Sequence, residues 1–241
     1  ACLTVAGTTA IAQEFPARPI KFIVPFPAGG GTDNLTRLVA TKLTDTLRWT
    51  VVVENKPGAG GNLALETTAK APADGYTLVM AQTDNVVLNP LLYSKLSYDP
   101  VKDLVPVGLV ASGPAVLVVR ADSPYKTLGD VVTAAKAKPG QLTFASPGIG
   151  TVAHLISELG QKSSGMKLTH VPYRGMSQAL PDLIGGQVDM YMGSIPTLQS
   201  QIQGGKVRAL GVTTPTRSAV LPNVPTYTES GIPGVELASV W

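Results

Sequence analysis

Three stretches of this 241-residue chain join a short apolar run to a helical pattern through a proline and a cluster of glycines. Phe26-Pro27-Ala28-Gly29-Gly30-Gly31-Thr32-Asp33 follows the apolar run at 20–24, Pro57-Gly58-Ala59-Gly60-Gly61-Asn62 follows 50–53, and Ser146-Pro147-Gly148-Ile149-Gly150-Thr151 follows 142–145. Glycines let bare backbone N–H groups approach a ligand, and a helix start adds unpaired donors with a partial positive charge. Such an end is an anion seat. One loop of this kind often only turns the chain, but three copies divided between two halves of a sequence point to a ligand site. None of the three contains Lys or Arg, so none is a G-x-x-x-x-G-K-[ST] loop, and none reads G-x-G-x-x-G with a ribose-binding acid at the right distance. Nucleotides are therefore disfavoured. Carboxylates carry less charge and can be held by amides and hydroxyls alone. Helix ends contribute about 0.3 to 2 kcal/mol each, whereas micromolar binding needs about 8 kcal/mol. Hydrogen bonds and closure of a cleft must supply the remainder. By this reasoning a β-branched residue at Gly30 should obstruct approach of the ligand to the backbone.

The elements that would position these loops alternate. Short β-branched runs at 20–24, 50–53, 77–81, 116–119, 142–145, 168–171, 188–192 and 207–213 predict strands, several apolar on both faces. Helical patterns lie between them, with Leu35, Leu38, Val39 and Leu43 on one face and Leu155, Ile156 and Leu159 on another. This alternation predicts an α/β fold with mainly parallel sheets. Because proline is disfavoured deep inside a helix, Pro181 predicts a helix from about Leu180 to Gly185-Gly186. Two punctuated stretches, 104–119 and 213–225, predict two crossings between domains. One lobe would comprise 13–110 plus 216–241, and 111–215 would form the inserted second lobe. Residues 1–12 are small and apolar and end in Ala10-Ile11-Ala12, the pattern of a signal-peptide remnant. Cleavage there would remove Cys2, the only cysteine, and with it any disulfide or thiolate site. The run 235–241 reads as a strand with no closing element after it.

Composition narrows the partner. Apolar residues are 44% and charged residues 15% of the chain, which argues against disorder. The net charge of +3 is spread along the sequence, so no nucleic-acid footprint is visible. His154 and His170 lack a third ligand for a metal, and no cofactor motif is present. Arg174 could bind a carboxylate bidentately or mark a hinge-side turn. Asp33 could touch ligand or cap the first helix. Ser146, His154 and Asp189 could be imagined as a catalytic triad, but Ser146 lacks the G-x-S-x-G elbow. The chain therefore reads as a binder rather than an enzyme. An effector-sensing domain of a regulator is the rival binding class, and it would be expected to carry a helix-turn-helix.

Five segments together resemble the substrate-binding proteins of tripartite tricarboxylate transporters, also called Bug receptors. They are Pro25 with the first loop, Glu54-Asn55-Lys56 with the second, Ala73-Asp74-Gly75-Tyr76-Thr77-Leu78, Val171-Pro172-Tyr173-Arg174-Gly175, and Gly185-Gly186-Gln187-Val188-Asp189. The resemblance implies a periplasmic-binding-protein type II fold, two Rossmann-like lobes with a hinge, whose last C-terminal segment would be missing here. It implies a periplasmic, monomeric receptor that closes on a small organic acid and delivers it to a membrane permease, with no cofactor. Carried over by match, Phe26 to Asp33 would hold one carboxylate, with Gly61 and Gly148 in the neighbouring loops. Ser146, Gly150, Thr151 and Tyr173 would grip from the second lobe, and Asp189 would face the cleft. At Gln82-Thr83-Asp84 the sequence departs from the commoner pattern of small hydroxyl residues followed by His. Asp84, at the C-terminal end of a strand, would lie by the cleft; if ionised and facing the ligand it would disfavour a second carboxylate and favour an amino or hydroxyl group.

Overall fold

The computed structural model describes residues 14–241, so Cys2 and the cleavage pattern lie outside the described residues. The first lobe is built on β1 (Ile20–Val24), flanked by β2 (Val51–Asn55) and β3 (Thr77–Val79) in a three-stranded parallel sheet of order β2-β1-β3. Four of the five β1 residues are buried, as a central strand covered on both faces requires. Helices α1 (Gly31–Leu47) and α2 (Asn62–Ala69) follow β1 and β2. A π-helical turn, Asp84–Leu88, runs directly into the short α3 (Asn89–Leu92).

The second lobe contains β4 (Ser112–Arg120), α4 (Leu128–Ala137), β5 (Thr143–Ser146), α5 (Val152–Ser164), β6 (Thr169–Pro172), α6 (Met176–Ile184), β7 (Met190–Ser194), α7 (Ile195–Gln203) and β8 (Val207–Val212). Its strand order is β6-β5-β7-β4-β8, and β9 (Ala238–Val240) pairs with the start of β4. The β5 pairs are parallel, but β4 runs antiparallel to β7, β8 and β9, so this sheet is more mixed than the alternation of elements implied. Two apolar layers cover its faces. One gathers Leu117, Val119, Phe144, Ile156 and Met190; the other gathers Val116, Val118, Leu183, Tyr191 and Leu198.

Two expectations are corrected. Residues 216–237 do not return to the first lobe. Tyr227, Ile232 and Val235 are buried against Leu128, Ile156 and Leu210 of the second lobe, and the Tyr227 amide donates to the Val212 carbonyl at 3.1 Å. The chain's last residues cross back: Trp241 packs with Phe22 and Met80, and the Val240 amide donates to Thr83 Oγ1. The helix read as starting near Leu180 starts instead at Met176, with Pro181 inside it. The carbonyl deprived of a partner belongs to Ser177, which is exposed like Pro181 itself, so water can take the place of the lost bond.

Candidate ligand-binding site

The strand ends converge between the lobes. Residues just beyond β1, β3 and β5, the last residue of β7 and Ala115 near the start of β4 border one cleft. Its inner part is a cavity of about 60 Å³, and an outer chamber of about 410 Å³ shares Phe26 and Pro147 with it. Among the described residues lining either part, Arg174 in the outer chamber is the one cation.

Helix starts form much of the inner wall. Gly30, Gly175 and Ser194 are the N-cap residues of α1, α6 and α7, and none provides a side-chain cap to the amides that follow. Gly30, Gly31 and Thr32 of α1, Gly175 and Met176 of α6, and Ser194 and Thr197 of α7 all line the cavity. Three uncapped N-termini therefore meet at one space, where unpaired N–H groups and aligned peptide dipoles favour an anion. The start of α5, in contrast, is already occupied. Thr151 accepts from the His154 amide at 3.3 Å, and the Val152 amide donates to Asp84 Oδ1 at 2.7 Å. Asp84 comes from the first lobe and is only 6% exposed. Burial pushes its carboxyl up to about 6, opposed by the bond from Val152.

The residues named from sequence divide into three groups. Phe26, Pro27, Gly30, Gly31, Thr32, Gln82, Asp84 and Thr151 line the inner cavity. Gly61, Gly148 and Tyr173 line the outer chamber, where the Tyr173 hydroxyl donates to Asp182 Oδ2 at 2.6 Å. The remaining seven line neither part. Ala28 and Gly29 are exposed, and the Gly29 amide donates to Asp33 Oδ2 at 2.9 Å. Asp33 neither caps α1 nor meets the cavity; it is 2% exposed and also accepts from Arg37 Nε and Asn55 Nδ2, so it holds the glycine loop in shape. Its burial works to raise the carboxyl's pKa, but the bonds from Arg37, Gly29 and Asn55 outweigh this and hold it below the usual carboxylate range. Thr83 Oγ1 accepts from the Val240 amide at 3.1 Å, tying down β9. Gly150 packs against the first lobe, since a Cβ there would lie 2.8 Å from Leu92 Cδ1. Asp189 does not face the cleft: it precedes β7, at the end opposite Ser194, and accepts from the amide and hydroxyl of Thr143 at 2.8 and 2.9 Å.

Ser146 is fully buried beneath the third glycine loop, with its Oγ 2.7 Å from His170 Nε2. It meets His170 rather than His154, and Asp189 lies at the far end of the sheet, so the imagined triad is not assembled. His170 stacks on both Phe144 and His154, with ring centroids 4.6 and 4.1 Å away. Burial first, and repulsion from His154 second, push His170 down to about 4. Its folded value therefore lies below the unfolded 6.5. The neutral ring's contribution to stability is complete above pH 6.5 and is lost as the pH falls towards 4. We expect a loss of roughly 2 kcal/mol over that window after allowing for solvent screening. His170→Gln should flatten this part of a thermal-stability profile; an unchanged slope would show that other groups cause it.

Sequence reasoning missed Met176, Tyr191, Ser194, Thr197 and Trp241, all of which line the inner cavity. A signal did exist for α7. Ser194-Ile195-Pro196 places a capping residue and an early proline straight after a strand. It lacks the glycine cluster that marked the other loops.

The comparisons with known proteins agree with this geometry. The sequence pattern described as "Tripartite tricarboxylate transporter family receptor" matches residues 35–241. A Pseudomonas sp. (strain P51) relative, "UPF0065 protein in tcbD-tcbE intergenic region", is 43% identical over 98% of this chain and 70% of its own length. Protein BugT of Bordetella pertussis is 40% identical over 95% of this chain and 71% of its own. Among solved structures, an R. palustris protein with adipate superposes with a TM-score of 0.91 at 35% identity, covering 94% of this chain and 76% of that one. MatC from Rhodopseudomonas palustris with bound malate gives 0.87 at 34% identity, covering 94% and 77%. The periplasmic binding protein BugD gives 0.88 at 36%, covering 94% and 75%. The two lobes are thus those of a periplasmic binding protein, and by the match over residues 35–241 the chain belongs to the tripartite tricarboxylate transporter receptor family.

Proposed function

We propose that this chain captures a small organic acid between its lobes in the periplasm and presents the closed form to the membrane permease of a tripartite transporter. The observation that carries this reading is the meeting of three uncapped helix N-termini, α1 from one lobe and α6 and α7 from the other, at one cavity lined by no cationic side chain among the described residues. Only with the lobes together are donors from both presented to one ligand group, so binding and closure are coupled. The adipate and malate held by the two structural relatives support a carboxylate as the captured group. Part of the ligand would extend past Phe26 into the outer chamber, whose wall carries Tyr93, Tyr173 and Arg174.

The test is a thermal-shift and calorimetric screen against mono-, di- and tricarboxylic, hydroxy, amino and aromatic acids, because a ligand bound to the native state stabilises by mass action. The expected result is saturable binding of at least one acid, which mass spectrometry then recovers unchanged. Conversion of the acid would replace this reading with catalysis. Failure of every acid to bind would remove it.

A further inference from the structure

The inner cavity has two chemically distinct walls. One is rich in donors, formed by the starts of α1, α6 and α7. The other belongs to the residues that follow β3, where the side chains of Gln82 and Asp84 border the cavity. Asp84 Oδ1 takes the Val152 amide, and this is the single hydrogen bond, among the described residues, that joins residues 14–92 to 112–235. The protein's own carboxylate thus occupies the α5 terminus that would otherwise serve an acidic ligand. Gln82 is 7% exposed, lines the cavity, and has an Oε1 with no hydrogen-bond partner among the described residues. A buried acceptor left without a donor calls for one from outside the protein.

Resting on the receptor reading above, we propose that Gln82 and Asp84 set the ligand class: an acid with one carboxylate in the inner cavity and a hydroxyl or ammonium donor within two or three bonds of it. The carboxylate faces the uncapped helix starts, and the donor faces Asp84 and Gln82. A second carboxylate in so small a space would sit against Asp84, so like charges exclude it. A plain monocarboxylate would leave Gln82 unpaired. A site built to hydrogen-bond a ligand group discriminates strongly against an analogue that lacks it, and an opposed charge rejects the wrong partner.

The test is calorimetric titration of the whole chain with a three-carbon series: propanoate, its 2- and 3-hydroxy and 2- and 3-amino derivatives, and malonate. In the wild type, one hydroxy or amino member is expected to bind at least tenfold tighter than propanoate and malonate. Asp84→Asn keeps an oxygen for the Val152 amide while removing the charge. It should weaken the amino acids at least tenfold relative to malonate and leave the hydroxy acids within about threefold. Gln82→Leu breaks no hydrogen bond within the described residues, so it serves as a second variant. It should cost the hydroxy and amino members about tenfold and leave propanoate unchanged. Malonate or propanoate binding best in the wild type would overturn the inference, as would the same ranking in both variants. If other acids of the wider screen bind and none of this series does, the inference falls and the receptor reading stands; if nothing binds in either screen, both fall.

Discussion

Gly31→Val is expected to abolish ligand capture, with affinity falling at least a hundredfold, while the free protein melts within about 2 °C of the wild type. Gly31 is the first residue of α1, where valine adopts the backbone without strain, so the first lobe has little reason to object. The conflict lies across the cleft. A Cβ at Gly31 would stand 2.0 Å from Thr197 Oγ1 and 3.1 Å from Thr197 Cβ on α7. Rotating the Thr197 side chain could relieve an alanine, for which about a tenfold loss is expected. It cannot clear the two further methyls of valine. In solution scattering the valine variant should keep its open dimensions when the screen's best acid is added. Contraction equal to that of the wild type would show that the lobes do not meet at this point. Gly30, which the sequence singled out, lines the same cavity, but a side chain there would meet the ligand rather than the opposite lobe. Its backbone is extended with φ −81°, and an added Cβ would meet only the Pro27 carbonyl at 3.5 Å, an ordinary contact.

Asp33→Ala is expected to destabilise the chain by roughly 3 kcal/mol, a fall in Tm of about 6 to 12 °C. The Gly29 amide, Asn55 Nδ2 and Arg37 Nε all lose one shared acceptor. Arg37 is half exposed and Gly29 lies in an exposed turn, so water can satisfy them in part and the largest share of the cost falls on Asn55 Nδ2. The loop leading into α1 would lose its fixed shape, and ligand affinity should fall with it. Because the folded carboxyl lies below its unfolded value of 3.8, its contribution is present above that pH and is lost as acid titrates it. The stability gap between wild type and variant should therefore narrow below about pH 4. Equal melting of the two at pH 7 would show that Arg37 and Asn55 hold the loop without the carboxylate.

How much of this could be read beforehand depended on whether the signal was local. All eight strand-forming runs are strands; in β1, β4 and β7 burial on both faces leaves a continuous apolar mark, and in the half-buried β2, β3 and β6 the short runs of β-branched residues sufficed. The glycine turns after β1, β2 and β5 were equally visible. Their purpose was only partly so: Gly31 and Gly150 allow the lobes to touch, and the surfaces they touch, Thr197 and Leu92, lie far away in sequence. Asp189 was misplaced by a boundary shift of two residues. Read inside a strand at 188–192 it belonged near the cleft, but β7 starts at Met190 and runs to Ser194, which leaves Asp189 at the opposite end. Asp84 was legible from its place after a strand, whereas its partner, a backbone amide 68 residues away, carries no residue-specific mark. The packing of Tyr227, Ile232 and Val235 on the second lobe was hidden for a related reason. Their spacing follows neither helical nor strand periodicity, so only the surface that receives them decides where they go.

Trp241, with its indole N–H 3.1 Å from Thr32 Oγ1 and its ring on Phe22 and Met80, borders the cavity. Trp49, the chain's other tryptophan, sits away from the cleft against Phe15. The molecule therefore carries an intrinsic optical probe: a solute settling beside Thr32 alters the polarity around one indole while the other supplies a steady background. Occupancy can be followed by unlabelled fluorescence, in the stopped-flow instrument as readily as at equilibrium.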